Sequence, residues 1–350
     1  MGSPKAQVEA HPTALSRIPP GLALLLLAPA LGELVSGHQP PAEFFNPLSF
    51  AILALPYGCG ALICRELVVR WGRGWPSLLL LGLAYALFEE GIVVRSIFDP
   101  NWDELGELAR YDHFAGVNWT YGELLIHFHV CISIGASVVL AEILYPQRCR
   151  QSWIGNKALV ACTIVMLLWI PCGWLMTSYR PPLIWLVAPW LAVPGLILAA
   201  RYVPVPPPPP APRRAPRPLC FFLLGLVNMP VLMLTPGIVA ERDVLPLPAT
   251  VLLLLAVDAA TLWLIARWSA NGHAWNDRHR LALIAGLLGF FLFFGGAQDL
   301  DGWQGRSVVA LMAAILLWRL SRRVNRRVQA DAARKEHRPQ AAGGTQHFEP

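Results

Sequence analysis

The sequence predicts an all-α, polytopic helical membrane protein with about ten transmembrane helices and both termini in the cytoplasm. Composition, span length and charge placement carry that expectation. The chain is 55% hydrophobic and 14% charged, with a mean hydropathy of +0.48, whereas soluble domains carry about a quarter charged residues. Ten apolar runs cover residues 18–35, 44–68, 76–98, 119–144, 157–177, 182–200, 218–240, 245–267, 280–298 and 306–320. Each is near the ~20 residues a helix needs to cross the hydrocarbon core. Helices are expected because lipid leaves backbone groups unsatisfied unless the segment bonds internally, and the runs lack the alternation of barrel strands. Of the 28 Lys and Arg residues, 23 fall in alternate segments starting from the N-terminus and 5 in the others. By the positive-inside rule this puts both termini in the cytoplasm and the protein in the inner (plasma) membrane.

Residues 1–17 form a cytoplasmic tail, and residues 18–200 a six-span membrane domain. Lys5 and Arg17 before Leu22–Leu31 resemble a signal peptide, but the charge alternation favours an uncleaved first span. Residues 201–217 are a Pro/Arg-rich cytoplasmic linker, with five prolines at Pro206–Pro210, a stiff extended connector. Residues 218–320 form a four-span domain, and residues 321–350 a basic cytoplasmic tail, expected to be disordered. The net charge of +6 comes mainly from Arg319 to Arg338. It suits anionic lipid at the membrane surface, so the expected partner is the bilayer and no nucleic acid is implied. Five of the seven cysteines lie in spans (Cys59, Cys64, Cys131, Cys162, Cys172), with no CxxC, and read as small buried residues.

The loop at residues 95–118 carries five acids, Asp99, Asp103, Glu104, Glu107 and Asp112, against Arg95 and Arg110. Asn101 and Glu104 form a capping-box-like pair. Trp102, Leu105 and Leu108 would share one side of a short amphipathic helix over 102–111, lying on the outer face. The loop reads equally as a lid, a cation-attracting mouth or a solvated connector. Asn118-Trp119-Thr120 is formally a glycosylation sequon.

Functional evidence concentrates in the third and fourth runs. Glu89 and Glu90 are adjacent carboxylates inside an apolar stretch, and the next run carries Glu123, His127 and His129. An intramembrane carboxylate is costly and normally faces a protein interior or water-filled cavity. With the third span running outward and the fourth inward, all these groups lie in the outer half of the bilayer. Glu123 and His127, four apart, share a helix face. His127 and His129 point some 200° apart, so only one can face a common centre with the glutamates. Three readings stand open: a polar knot holding helices together, a transport or proton-relay site, and a metal site in which a spare Glu activates water. Asp258 and Asn228 are weaker intramembrane polar groups, read either as a pair or, for Asp258, as a second conduction site.

Two resemblances bear on these residues. Glu89-Glu90 followed by Arg95, with His in the next span, resembles the CAAX-protease and bacteriocin-processing family of intramembrane metalloproteases, whose pattern is Glu-Glu-xxx-Arg, then Phe-xxx-His, then a later His motif. Here four residues separate Glu90 from Arg95, which at about 100° per residue turns Arg95 about 140° away from Glu90, toward the outer interface and Asp99 at i+4; positions 123 and 125 hold Glu and Leu, and no later span carries a His. The stretch from Phe88 through Asp99-Pro100 to Gly116-Val117-Asn118-Trp119 and His129 also resembles uncharacterised polytopic prokaryotic membrane proteins. The resulting expectations are Glu89, Glu90 and His129 as catalytic groups, and Glu123, His127 and Arg95 as substrate-binding groups. Glu90, His127 and His129 are the candidates for a divalent metal such as zinc, which the protease resemblance implies. Substrate and oligomeric state are not legible.

Overall fold

The computed structural model describes residues 18–209, 214–299, 302 and 304–336. The 1–17 tail and residues 337–350 of the basic tail lie outside the described residues. All ten apolar runs are helical: α1 (Pro20–Val35), α2 (Pro47–Arg70), α3 (Trp75–Val93), α4 (Trp119–Leu144), α5 (Asn156–Met176), α6 (Leu183–Tyr202), α7 (Pro218–Arg242), α8 (Leu247–Trp268), α9 (Asp277–Gln298) and α10 (Arg306–Glu336). Among the described residues eight of them, α2 to α9, are long and apolar enough to cross a membrane. Helix α1 is shorter, and α10 runs on into charge. Where a disordered tail is expected, α10 continues to Glu336. Residues 321–336 contain no Gly or Pro and are rich in Arg and Ala, which prolong a helix already nucleated.

Helix starts follow local chemistry. Asn46 caps α2 by accepting from the Leu48 amide at 3.0 Å, with Pro47 at the first helical position, where its missing N–H costs nothing. Asn276 and His279 form a reciprocal capping box on α9.

The described chain divides into two compact units. The first comprises the chain up to Val205 together with Leu232–Leu254. In it α3 packs against α2, α4 and α6, while α2 packs on α1 and α5. Leu24, Ala28, Leu62, Leu81, Ile134 and Val138 form its core. The outward faces of α5 and α6 are apolar, as contact with lipid requires: Leu168, Leu175, Ile184 and Leu191 are all exposed. Two glycines admit tyrosines to this core. A Cβ at Gly32 would lie 2.6 Å from the Tyr57 ring, and one at Gly60 2.2 Å from Tyr85.

Three of these helices are not uniformly α. Ala30–Val35 in α1, Phe88–Val93 in α3 and His129–Ala136 in α4 are π-helical. In α3 the Val94 amide bonds the Glu89 carbonyl, five residues back, at 2.8 Å. Such widened turns are rare and recur at functional sites.

The loop after α3 differs from the expected surface helix. It holds a single 3-10 turn (Asp103–Leu105), one α turn (Leu108–Tyr111) and a two-residue antiparallel pair, β1 (His113–Phe114) with β2 (Val117–Asn118). Gly106, at φ +50°, breaks the helix between the two turns. The anticipated Asn101–Glu104 box does not form: the Asn101 amide bonds Asp99, and Trp102 precedes the turn. Leu105 and Leu108 nonetheless share an apolar side, packed with Tyr121 and Leu125. Asp112 is fully buried and caps α4 from a distance, accepting from the amides of Thr120 (2.7 Å) and Tyr121 (2.8 Å) and from the Thr120 hydroxyl. Burial pushes its carboxyl above the usual range, and these donors pull against that shift. The sequon is structural. Asn118 is buried, its amide donating to the carbonyls of Ser96 and Asp99, and Thr120 is committed to Asp112.

The second unit comprises Pro206–Val231 and the chain from Leu255 onward. Helices α9 and α10 pack along one another. Within it the approach of α7 to α9 is set by glycines: a Cβ at Gly286 would fall 2.1 Å from the Phe222 carbonyl oxygen, and one at Gly225 2.6 Å from that of Leu283. Small residues at such crossings let helices meet where lipid supplies no hydrophobic drive. Asn228 donates to Thr261 at 3.2 Å, rather than to Asp258 as anticipated.

Candidate acidic and aromatic cavity in the membrane domain

The π-helical end of α3 places Glu89 and Glu90 inside the first unit, both buried. A widened turn exposes backbone and shifts the side-chain phase, so two consecutive residues can both be directed inward. Each carboxylate has its own partners. Glu90 Oε1 lies 2.7 Å from His129 Nε2, and Glu90 Oε2 accepts from the Ser96 hydroxyl. Glu89 Oε1 accepts from the Trp169 indole N–H at 3.1 Å, while Glu89 Oε2 has no hydrogen-bond partner.

His129 opens the π turn of α4 and is held on both nitrogens, Nδ1 lying 3.0 Å from Ser133 Oγ. Tyr57, Tyr85 and Phe128 surround its ring at 5.6–5.9 Å between centroids. The sequence-predicted meeting of the α3 carboxylates with one α4 histidine is therefore present. His127 does not join it. It lies on another face with Glu123, the two offering ligand atoms within 4.8 Å, and neither lines the cavity around Glu89 and Glu90. The expected trio of Glu90, His127 and His129 is thus split by the helical phase of α4.

Arg95 departs furthest from expectation. Instead of reaching the interface and Asp99, it is fully buried. Its guanidinium donates to the Val93 carbonyl at 2.6 Å and to the Thr177 hydroxyl, and it sits 4.2 Å above the Trp174 ring. Its backbone adopts φ +67°, turning the chain sharply out of α3. It locks α3 to the end of α5 and does not line the cavity.

The carboxylates border a cavity of about 210 Å³. Its wall includes three ionisable residues that the sequence reading did not select as site residues: Glu33 from the π turn of α1, His38 just beyond it, and Glu104 from the loop. Glu33 is buried, interacts with the Tyr57 hydroxyl and lies within electrostatic reach of His129. Glu104 accepts from the Tyr121 hydroxyl at 2.8 Å. Tyr57, Trp102, Tyr121, Phe128 and Trp169 supply aromatic wall, and among the described residues no Arg or Lys lines it. Glu33 carried a legible signal, being an acid inside an apolar run, but its run is short and its depth depends on a π turn that periodicity does not encode.

The fold and site define a multi-pass helical membrane protein with a buried Glu/His centre opening into an acidic, aromatic-walled cavity. The model of an uncharacterized membrane protein family matches residues 22–199, just over half of the chain, and the chain belongs to that family. The matched stretch contains every residue lining the cavity. No curated protein and no solved structure matches the chain.

Proposed function

We propose that this protein binds, and moves within or across the membrane, a small cation, proton or cationic solute at the Glu/His centre. One observation carries the reading: four carboxylates and two imidazoles line a single cavity, with no Arg or Lys among the described residues that line it. Burying carboxylates away from water is costly unless a proton or cation balances them. The Glu90–His129 contact supplies a proton donor and acceptor within one hydrogen bond, and the chain Ser133–His129–Glu90–Ser96 extends it. The same contact is what an intramembrane hydrolase would use, with Glu90 as base. The cation reading is preferred because the two residues bind each other and the metal-ligand set expected for hydrolysis is divided between faces.

Within this reading the cavity opens toward the outer side, the six-span and four-span parts flank the cytoplasmic 201–217 linker, and both termini are cytoplasmic. Reporter fusions after Asp112 and after Pro212 are expected to report opposite sides, and agreement between them would sink this orientation. For transport, protein reconstituted in liposomes is expected to dissipate an imposed proton or cation gradient faster than empty liposomes. The Glu89→Gln, Glu90→Gln double variant should remove that difference. Wild-type flux no greater than that of empty liposomes, together with no saturable binding of any cation, would refute the proposal.

A further inference from the structure

We propose that the cavity is built for a small organic cation, an alkylammonium compound, rather than for a bare metal ion, with Glu89 as its principal anchor. This rests on the reading above that the centre takes a positive charge, and it names the chemical class.

The first argument is an unsatisfied atom. Glu89 is only 6% exposed, lines the cavity, and has one oxygen held by Trp169 and the other without a donor. A buried acceptor left unpaired is unfavourable, so a ligand N–H delivered there recovers what folding left unmade. An ammonium group meets the need with a charge-assisted bond.

The second argument concerns what a metal would require. Zinc ligation needs three or four donor atoms converging at about 2.0–2.3 Å. Here both oxygens of Glu90 and both nitrogens of His129 are already engaged, by each other, Ser96 and Ser133. Among the described residues, no three His or acidic residues of the cavity wall bring one ligand atom each within 4.8 Å of one another. The acids are spread around the space rather than focused on a point. They come from α1 (Glu33), α3 (Glu89, Glu90) and the loop (Glu104).

The third argument is size and surface. At about 210 Å³ the cavity far exceeds the roughly 10–15 Å³ that admits one water. Its aromatic wall suits an alkylammonium, because aromatic faces attract cations and pack alkyl groups. Trp102 and Glu104 reach the cavity from the loop, and the Tyr121–Glu104 bond ties that loop to α4. Glu104 is itself exposed, so it can meet the cation at the mouth while Glu89 receives it inside.

The test uses the purified full chain in lipid nanodiscs at neutral pH, titrated calorimetrically with isobutylamine, with isobutanol as a neutral isostere and zinc chloride as the metal. Isobutylamine is expected to bind saturably at one site, and isobutanol to show only non-saturable partitioning. Glu89→Gln should weaken isobutylamine roughly ten- to a hundredfold, the scale of one charge-assisted bond. Glu104→Gln, at the exposed mouth, should weaken it by a smaller factor with the fold intact, and it carries the test if Glu89→Gln does not accumulate. Zinc binding or cation flux with no isobutylamine binding would overturn this inference and leave the broader cation reading standing. Isobutylamine binding unchanged in the testable variants, or matched by isobutanol, would overturn it as non-specific. Absence of binding and flux for every cation would remove both.

Discussion

Replacing His129 with Ala is expected to destabilise the first unit by about 3–5 kcal/mol, the usual loss when one member of a buried pair is removed and the other is left uncompensated. The variant strips Glu90 Oε1 of its 2.7 Å partner and opens a void among Tyr57, Tyr85 and Phe128. Hydrogen bonds between membrane helices average only about 0.6 kcal/mol, because the unfolded chain in lipid finds other partners. The larger value is expected here because the stranded group is a carboxylate buried inside the helix bundle. His129→Gln, which keeps a donor and part of the volume, should recover a substantial fraction. Denaturant unfolding in bicelles measures the difference. A loss below about 1 kcal/mol for His129→Ala would mean that Glu90 does not depend on this contact.

Gly286→Leu is expected to abolish the tight crossing of α7 and α9. Even a Cβ there meets the Phe222 carbonyl oxygen at 2.1 Å, and the obstacle is backbone, which no rotamer change can relieve. Overpacking a well-filled interior costs about 1–3 kcal/mol, and four added carbons against a helix backbone belong at or beyond the upper end. The accompanying control lies in the same helix. Gly296 has nothing within 4 Å of its Cβ position, so Gly296→Ala should be neutral or stabilise by roughly 0.5–1 kcal/mol through helix propensity. Thermal inactivation of the purified variants distinguishes the two. Equal melting behaviour would mean that the α7–α9 approach is not a fixed contact.

The helices were legible because hydropathy and span length obey one constraint, backbone satisfaction in lipid, which local sequence displays directly. The meeting of Glu90 with His129 was legible for a related reason: consecutive spans pack together, and polar groups at matching depth seek each other. What escaped was decided by geometry outside the 3.6-residue period. Glu33 enters the centre on one π turn, and the α3 carboxylates on another. Arg95 was assigned to the interface by counting 100° per residue, yet its left-handed backbone and the Trp174 ring draw it inward. The loop helix failed at Gly106, a residue whose positive φ sequence spacing cannot announce. Trp169 and Glu104 join the cavity only through tertiary packing, and neither stands out among neighbours of the same type.

The three π turns carry a consequence for tolerance to insertion and deletion. Each holds one residue more than a regular turn, so removing one residue from Phe88–Val93 or His129–Ala136 lets the ladder close into ordinary α-helix with the span still long enough to cross. The flanking α-helical segments keep their phase, because the widened turn had already absorbed the extra residue, and only the residues inside it are redirected: at about 100° per residue, two consecutive side chains no longer both point inward. Such a shortened chain would insert, fold its spans and keep its hydropathy profile, yet lose the inward pairing of Glu89 and Glu90 beside His129. Hydropathy alone would not distinguish a homologue lacking this residue from one possessing it, although only the latter keeps the cavity.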